Sequence, residues 1–167
     1  MSEQYLPIRD SLGYKEVRTA LEEVFSIEIE VAAPILIGQD NIIGRRQLIP
    51  IISGELKGEN IRGVVLPGGV DSQVIRPNGI CELSARYGIK FDDGETIYIE
   101  NNGIRTVPEE YIEKVKNGDF INPDLYYFKT TPKFEVYSSK YKWLTTSLFV
   151  CSAKRLPSKV LLTFYKL

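Results

Sequence analysis

The sequence predicts an all-β fold, a single antiparallel β-barrel of about 8–10 strands with one short helix. Short segments in which apolar and polar residues alternate recur from Val24 to the C-terminus. Tight-turn sequences rich in Gly, Pro and Asn separate these segments, and only residues 108–116 carry both the start and the stop signals of a helix. A closed barrel is favoured over a sandwich because closure removes exposed sheet edges.

The chain of 167 residues fits one domain that can bury a core without disulfides. Residues 1–21 show neither a convincing helix cap nor a periodic apolar face, so we predict an N-terminal arm there. Residues 22–167 then form the β-barrel domain.

Composition narrows the classes of function. The 21 basic and 22 acidic residues give a net charge of -1, which disfavours nucleic acid or an anionic membrane as a partner. The chain shows no secretory signal and no apolar run of the ~18 residues that a membrane span needs, so we expect a cytoplasmic protein. Cys81 and Cys151 stand singly in apolar runs and are expected to be buried thiols, although a bridge between them is left open.

The sequence contains no histidine, which excludes histidine-based catalytic triads and histidine-ligated metal sites. Catalysis would have to use carboxylates, Tyr, Lys, Arg or the two Cys. We also expect no metal and no cofactor, because the remaining carboxylates lack the loop pattern of a calcium site and no cofactor motif is present.

The first strand is predicted at residues 24–31, where apolar side chains alternate with polar ones. Extended structure resumes at residues 45–53 and ends in a turn region at 54–58. Arg45 and Arg46 open this second segment on opposite faces, so that one of the two can point inward. We take Arg46 as a candidate ligand-binding residue.

The central hairpin turns at residues 76–79, Arg-Pro-Asn-Gly, for which a three-residue loop with a type I turn and a bulge is the preferred interpretation. In that register Asp71 and Gln73 share a face with Leu83, Ala85 and Tyr87. A two-residue Asn-Gly turn would instead place them beside Glu82, Ser84 and Arg86. Asp71 and Gln73 point together in either register. A competing interpretation is that Asp71 only caps the turn at residues 67–69.

In the second half, a turn at residues 92–94 leads into a strand at 96–100, and Asn101-Asn102-Gly103 is predicted to turn the chain again. The helix at residues 108–116 is predicted to lie over a barrel end. A strand at 126–137 is interrupted by Pro132, which favours a bulge or an edge position. The last strand, 160–167, is apolar on both faces, so we expect a homodimer or a higher homo-oligomer.

An ordered series of short motifs from Val24 to the C-terminus resembles the domain of unknown function 3237 family (DUF3237, also called UPF0311). The motifs lie at residues 66–73, 76–79, 85–87, 93–94, 127–135 and 141–144. The resemblance implies a β-barrel fold. The family is uncharacterised, so the resemblance implies no activity.

The first functional hypothesis is a barrel that binds a small organic ligand in its cavity. Its cavity wall would carry Asp71, Gln73, Tyr87 and Tyr127, and Arg46 or Lys129 would meet an anionic or carbonyl group. Trp143 completes this predicted set. In an enzymatic version, a lyase, isomerase or cyclase without cofactor, Asp71 would be the general base and Tyr127 a proton donor.

The second hypothesis is a non-catalytic, oligomeric interaction domain. The same aromatic residues would then form core, which is the commoner role of aromatic side chains in strands, and the polar residues would close turns. A copurifying ligand or a deep cavity would separate the two hypotheses.

Overall fold

The computed structural model describes residues 19–167. Of the predicted N-terminal arm, residues 1–21, all but the last three positions lie outside the described residues. The strands of the described part are β1 (Glu22–Val31), β2 (Ile35–Asn41), β3 (Gly44–Lys57), β4 (Arg62–Val65), β5 (Val70–Ile75), β6 (Cys81–Phe91), β7 (Thr96–Thr106), β8 (Tyr127–Val136), β9 (Phe149–Arg155) and β10 (Lys159–Lys166). The α-helix in this part is α1 (Ile112–Lys116), and short 3-10 helices span Glu109–Tyr111, Pro123–Leu125 and Ser139–Leu144.

The strands close into an eight-stranded antiparallel barrel. β1, β10, β9, β8, β7 and β6 follow one another around it, and β3 completes the circle by pairing with β1. Both β4 and β5 bridge β6 and β3, so these two short strands share one position in the wall. β2 pairs with β3 at the start of β3. The predicted fold class is confirmed.

Strand β1 shows why alternation predicted the fold. Phe25, Ile27 and Ile29 are at most 3% exposed, whereas the polar residues between them face outward. The predicted turn after residue 53 is wrong, because β3 continues to Lys57. A Cβ at Gly54 would collide with the Glu28 carbonyl oxygen, so the glycine serves the close approach of β1 and β3 rather than a turn.

The predicted turn at Asn101-Asn102-Gly103 is also wrong, since β7 runs unbroken through it. Here too the glycine serves a close approach, because a Cβ at Gly103 would collide with the Lys129 carbonyl oxygen of β8. As a result, the inward-facing series of β7 extends beyond Ile99 to Asn101 and Arg105.

The predicted helix begins as a 3-10 turn and ends at Lys116, followed by Gly118 with a φ of 76°. Its last turn lies over one end of the barrel, as predicted. Pro132 interrupts pairing on one side of β8 only. The ladder to β9 is confined to Lys129 and Thr130, whereas the ladder to β7 is continuous. β8 is therefore not an edge strand.

The barrel interior has two ends of different character. The closed end, around the 92–95 turn and the 139–144 helix, holds an aromatic cluster; it comprises Phe25, Phe91, Phe134, Tyr141, Trp143, Phe149 and Phe164. The mouth end, around the 76–80 loop and α1, carries the polar interior residues.

None of the helices within residues 19–167 is long and apolar enough to cross a membrane. Strand β10 lies between β1 and β9, and its outward residues Leu161, Thr163 and Tyr165 are half-buried. The expected homo-oligomer stays a prediction, which light scattering at micromolar concentration can test.

Candidate functional site

A cavity of about 560 Å³ opens at the mouth end, between α1, the 31–34 segment and the 156–158 loop. It leads to an inner cavity of about 40 Å³ inside the barrel. The two cavities share five lining residues, Val31, Ile49, Gln73, Arg105 and Arg155, which form a neck between them. The outer volume lies in the range of small-molecule sites, and the inner one has room for a few water molecules or for one end of a ligand.

The central hairpin places three predicted residues, Asp71, Gln73 and Tyr87, on the wall of the inner cavity. The Arg76 amide donates to the Ile80 carbonyl at 2.8 Å, and Gly79 has a φ of 86°, as the type I turn with a bulge requires. Asp71 therefore pairs with Ala85, and Gln73 with Leu83. The preferred register is confirmed.

Asp71 ends a chain of hydrogen bonds that runs from β3 across β5. Gln47 Nε2 donates to Gln73 Oε1 at 2.8 Å, and Gln73 Nε2 donates to Asp71 Oδ2 at 2.7 Å. Because Asp71 accepts from Gln73 rather than from the 67–69 turn, the turn-cap interpretation is wrong. These hydrogen bonds fix the carboxyl group of Asp71, which lines the inner cavity, and its second oxygen, Oδ1, is buried without a hydrogen-bond partner within residues 19–167.

Six buried polar atoms around the inner cavity have no hydrogen-bond partner within residues 19–167. They are Asp71 Oδ1, Tyr87 OH, Asn101 Oδ1, Arg105 Nε, Thr130 Oγ1 and Arg155 Nη1. Asn101 and Thr130 lie beside the Cys151 sulfur, which is only a weak partner. Buried polar groups are almost always paired in native proteins, and an unpaired one lowers the free energy of unfolding by about 1–3 kcal/mol. Six unpaired polar atoms around a single cavity are typical of a binding site.

Burial shapes the electrostatics of the cavity. It raises the pKa of Asp71, although the Gln73 hydrogen bond, the charges of Arg105 and Arg155 and the nearby Ser84 amide act in the opposite direction. Burial also raises the pKa of Tyr87 well above its ordinary value. Tyr87 is therefore a neutral hydrogen-bonding group at physiological pH.

The two cysteines are free and buried, as predicted. Burial raises the pKa of Cys81 to about 11 and that of Cys151 to about 12. Both thiols are therefore protonated at neutral pH, which makes them poor nucleophiles.

Sequence reasoning missed the two arginines of the neck. The Arg105 guanidinium lies 5.8 Å from the centre of the Phe128 ring, and the Tyr126 hydroxyl accepts from the Arg155 amide at 2.8 Å. Burial and the nearby charge of Arg105 lower the pKa of Arg155. The sequence did contain a signal for Arg105. Alternate residues of a strand share a face, so the inward-facing series that starts with Ile97 and Ile99 continues at every second residue to Arg105.

Three predicted site residues lie outside the barrel. Arg46 Nη1 donates to Ser72 Oγ at 3.1 Å on the outer surface, and its neighbour Arg45 takes the position at the mouth. Tyr127 is 49% exposed, and Lys129 Nζ donates to Ser152 Oγ at 2.6 Å, also outside. The cause is strand parity, because residues 128 and 130 occupy the inner face of β8.

Trp143 lies at the closed end, away from the cavity. Its ring centre is 6.4 Å from that of Phe25 and 5.9 Å from that of Phe149, so it packs on the core as the competing interpretation predicted. Its remaining surface lines a separate groove of about 600 Å³ on the outside.

The cavity can therefore hold a polar group through several donors and acceptors, and it presents one carboxyl group for proton transfer. Within residues 19–167, no three or more Cys, Asp or Glu residues lie close enough together to hold a metal ion. The expectation that no metal or cofactor is used stays a prediction.

Comparison with known proteins gives one consistent family. The model of the family described as protein of unknown function (DUF3237) matches residues 19–167. A UPF0311 protein of Clostridium acetobutylicum is 68% identical over 146 residues, which are 87% of this chain and 92% of that protein.

Solved structures agree with this assignment. A crystal structure of a protein with unknown function from Clostridium acetobutylicum has a TM-score of 0.87 at 64% identity, covering 91% of this chain and 99% of that one. A β-barrel-like protein from Acinetobacter baumannii has a TM-score of 0.79 at 32% identity, covering 92% and 98%. This chain therefore belongs to the DUF3237 family of β-barrel proteins of unknown function.

Proposed function

We propose that the barrel binds a small organic ligand in its mouth cavity, with one end of the ligand in the inner cavity. The observation that carries this proposal is the set of six buried, unpaired polar atoms on the inner-cavity wall. Left unpaired, these atoms would lower stability; ordered water or the polar end of a ligand can supply their partners, and the outer cavity that opens onto them has room for the rest of a ligand.

The atoms also suggest which groups the ligand carries. Arg105 Nε and Arg155 Nη1 can only donate hydrogen bonds, and Tyr87 OH can donate or accept. Asn101 Oδ1 and an ionised Asp71 Oδ1 accept. A carbonyl, hydroxyl or carboxylate group matches these atoms, and the proposal requires no metal or redox cofactor.

Two experiments can test the proposal while the ligand is still unidentified. Native mass spectrometry of freshly purified protein would show a copurifying compound, and a thermal-shift screen against a metabolite library would find others. We expect hits to raise the melting temperature of the parent protein and of an outer-face control, Lys129→Met. The double variant Asp71→Ala with Gln73→Ala should change the shift, because both side chains line the inner cavity.

Two outcomes would contradict the proposal. One is a library without a single hit. The other is a hit whose shift is the same in the double variant as in the parent, because binding would then occur elsewhere. Urea unfolding of the double variant must show that it still folds.

One observation favours a second candidate function, a proton-transfer enzyme. Asp71 is a buried carboxyl group with a raised pKa, held by Gln73 on the wall of the inner cavity. Buried carboxyls of this kind serve as general acids and bases. Tyr127 cannot assist from the outer face, and Tyr87, which lines the inner cavity, would orient the substrate through a hydrogen bond, because its raised pKa makes it a weak proton donor.

Replacement of Asp71 by Asn separates a binder from an enzyme. The amide oxygen can still accept from Gln73, but the side chain can no longer exchange a proton. With a substrate identified by the screen, turnover should fall ~10²-fold or more while affinity changes far less. If turnover in Asp71→Asn equals that of the parent, Asp71 is not a general base.

A further inference from the structure

We propose that the ligand is an organic carboxylate, with its charged group at the neck between Arg105 and Arg155 and its body in the outer cavity. This inference rests on the proposed function, because it names the class of ligand that the same cavity takes.

The charge of the neck is the first support. Arg105 and Arg155 are both partly buried, and both line the two cavities. Neither takes part in the seven ion pairs that form among residues 19–167. Buried guanidinium groups are normally paired with an anion, because removal of an unpaired charge from water is costly. The neck therefore has two cationic side chains for which an anionic ligand supplies the partner.

Asp71 offsets this positive charge only in part, since it is one carboxyl group near two guanidinium groups. Asp71 pairs with Ala85, whereas Arg105 pairs with Cys81, four residues nearer the mouth on the same neighbouring strand. The carboxyl of Asp71 is also engaged by Gln73 on its other oxygen. A ligand that enters from the mouth therefore meets the guanidinium groups before it meets Asp71.

The charge balance, rather than the donor geometry, favours a carboxylate over a phosphate. Guanidinium groups present paired N–H donors whose spacing matches the oxygens of either group. With Asp71 ionised, the neck and inner cavity carry two positive charges and one negative charge, which a monoanion neutralises. The inner cavity of about 40 Å³ is too small for an organic body, whereas the outer one of about 560 Å³ accommodates it.

Part of the wall of the outer cavity is apolar and can contact an apolar part of the ligand. Its wall includes Pro34, Val107, Val115, Ile121 and Leu156. A carboxylate with an aromatic or aliphatic chain would place its charged group on the arginines and its chain on these side chains.

Matched acids and amides test the inference directly. Isothermal titration calorimetry would compare cinnamate with cinnamamide, benzoate with benzamide and octanoate with octanamide on the parent protein. We expect at least one acid to bind about tenfold or more tightly than its amide, since a hydrogen bond between charged groups is stronger than one between neutral groups. This comparison needs no variant and so does not depend on a variant that folds.

Variants then locate the charge. Arg105→Met and Arg155→Met should each weaken binding of the acid about tenfold or more, and binding of the amide far less. Arg46→Met serves as the matched control, because Arg46 lies on the outer face and its loss should leave both affinities unchanged.

Equal affinity for acid and amide would overturn the inference, as would an acid preference that persists in both Arg105→Met and Arg155→Met. Tighter binding of phenylphosphonate than of benzoate would overturn the choice of a carboxylate. If neutral library compounds bind in the cavity and no acid does, the inference fails while the proposed function stands. If neither acids nor library compounds bind, both fail.

Discussion

The two ends of the barrel interior differ in how completely they are packed. At the closed end, Phe25 lies 4.7 Å from Phe164 and Phe91 stacks on Tyr141 at 4.1 Å between ring centres. At the mouth end, the interior holds a cavity, two arginines and unpaired polar atoms. The comparison teaches that tight packing is concentrated at one end of the barrel axis, and the proposed site lies at the other end, where the packing is locally incomplete.

The largest effect is expected from a cavity at the closed end. Phe164 is 0% exposed, and its replacement by Ala should lower the free energy of unfolding by about 3–5 kcal/mol. The matched control is Tyr127→Ala on the outer face, for which we expect a far smaller loss. Urea unfolding monitored by circular dichroism measures both. Equal losses would mean that the closed end is not the main source of stability.

The second-largest loss of stability is expected from substitution of Gly103, which lies in β7. Gly103→Ala places a methyl group against the Lys129 carbonyl, so β7 and β8 must separate, at a cost of about 1–3 kcal/mol or more. The neighbouring variant Asn102→Ala should cost less, because the Asn102 side chain donates to Glu100 on its own strand rather than holding β7 to β8. The same urea unfolding serves as the measurement. A neutral Gly103→Ala would contradict the close approach of the two strands.

Two aspartates, one at each end, should give pH effects of opposite sign. The folded-state pKa of Asp71 lies above the ordinary 3.8, so its stabilising contribution is complete below 3.8 and is lost as pH rises through the folded pKa. The pKa of Asp93 is lowered to about 2 by hydrogen bonds from Lys140, Tyr141 and the Glu95 amide. Its contribution is present above 3.8 and is lost as pH falls toward about 2.

Urea unfolding as a function of pH, on Asp71→Asn and Asp93→Asn beside the parent, tests these signs. We expect the parent to lose stability relative to Asp71→Asn as pH rises from 3.8 to neutral. Relative to Asp93→Asn, the parent should lose its advantage as pH falls below 3.8. The same sign for both differences would contradict the contrast between the two ends.

The smallest effects are expected on the outer face. Arg46→Met and Lys129→Met each remove an exposed hydrogen bond to a serine, so the free energy of unfolding should change by about 0.5 kcal/mol or less. Thermal-shift hits should also be retained in both variants. A loss of ligand response in either variant would move the binding site to the outer surface.

The sequence predicted the features that depend on local chemistry. Alternation identified β1, and the turn at residues 76–79 gave the register that puts Asp71, Gln73 and Tyr87 on the cavity wall. These predictions succeeded because the alternation within β1 and the type of the turn at residues 76–79 depend on neighbouring residues alone.

The missed features depend on contacts between distant segments. Asn101-Asn102-Gly103 has the composition of a turn, but the approach of β8 makes it a strand, and the prediction of a turn there hid Arg105. Around Tyr127, aromatic residues occupy both faces of β8, so alternation could not say which face is inward. The pairing of Phe128 with the inward-facing Arg105 of β7 determines that Phe128, and not Tyr127, faces the barrel interior.

A crystal structure of the protein with the strongest ligand from the screen tests the central claim most directly. The ligand should lie in the mouth cavity, with a polar group within hydrogen-bond distance of Arg105 Nε and Arg155 Nη1. A ligand held elsewhere, for example in the groove beside Trp143, with these two atoms paired to other groups of the protein, would contradict a binding site at the mouth end.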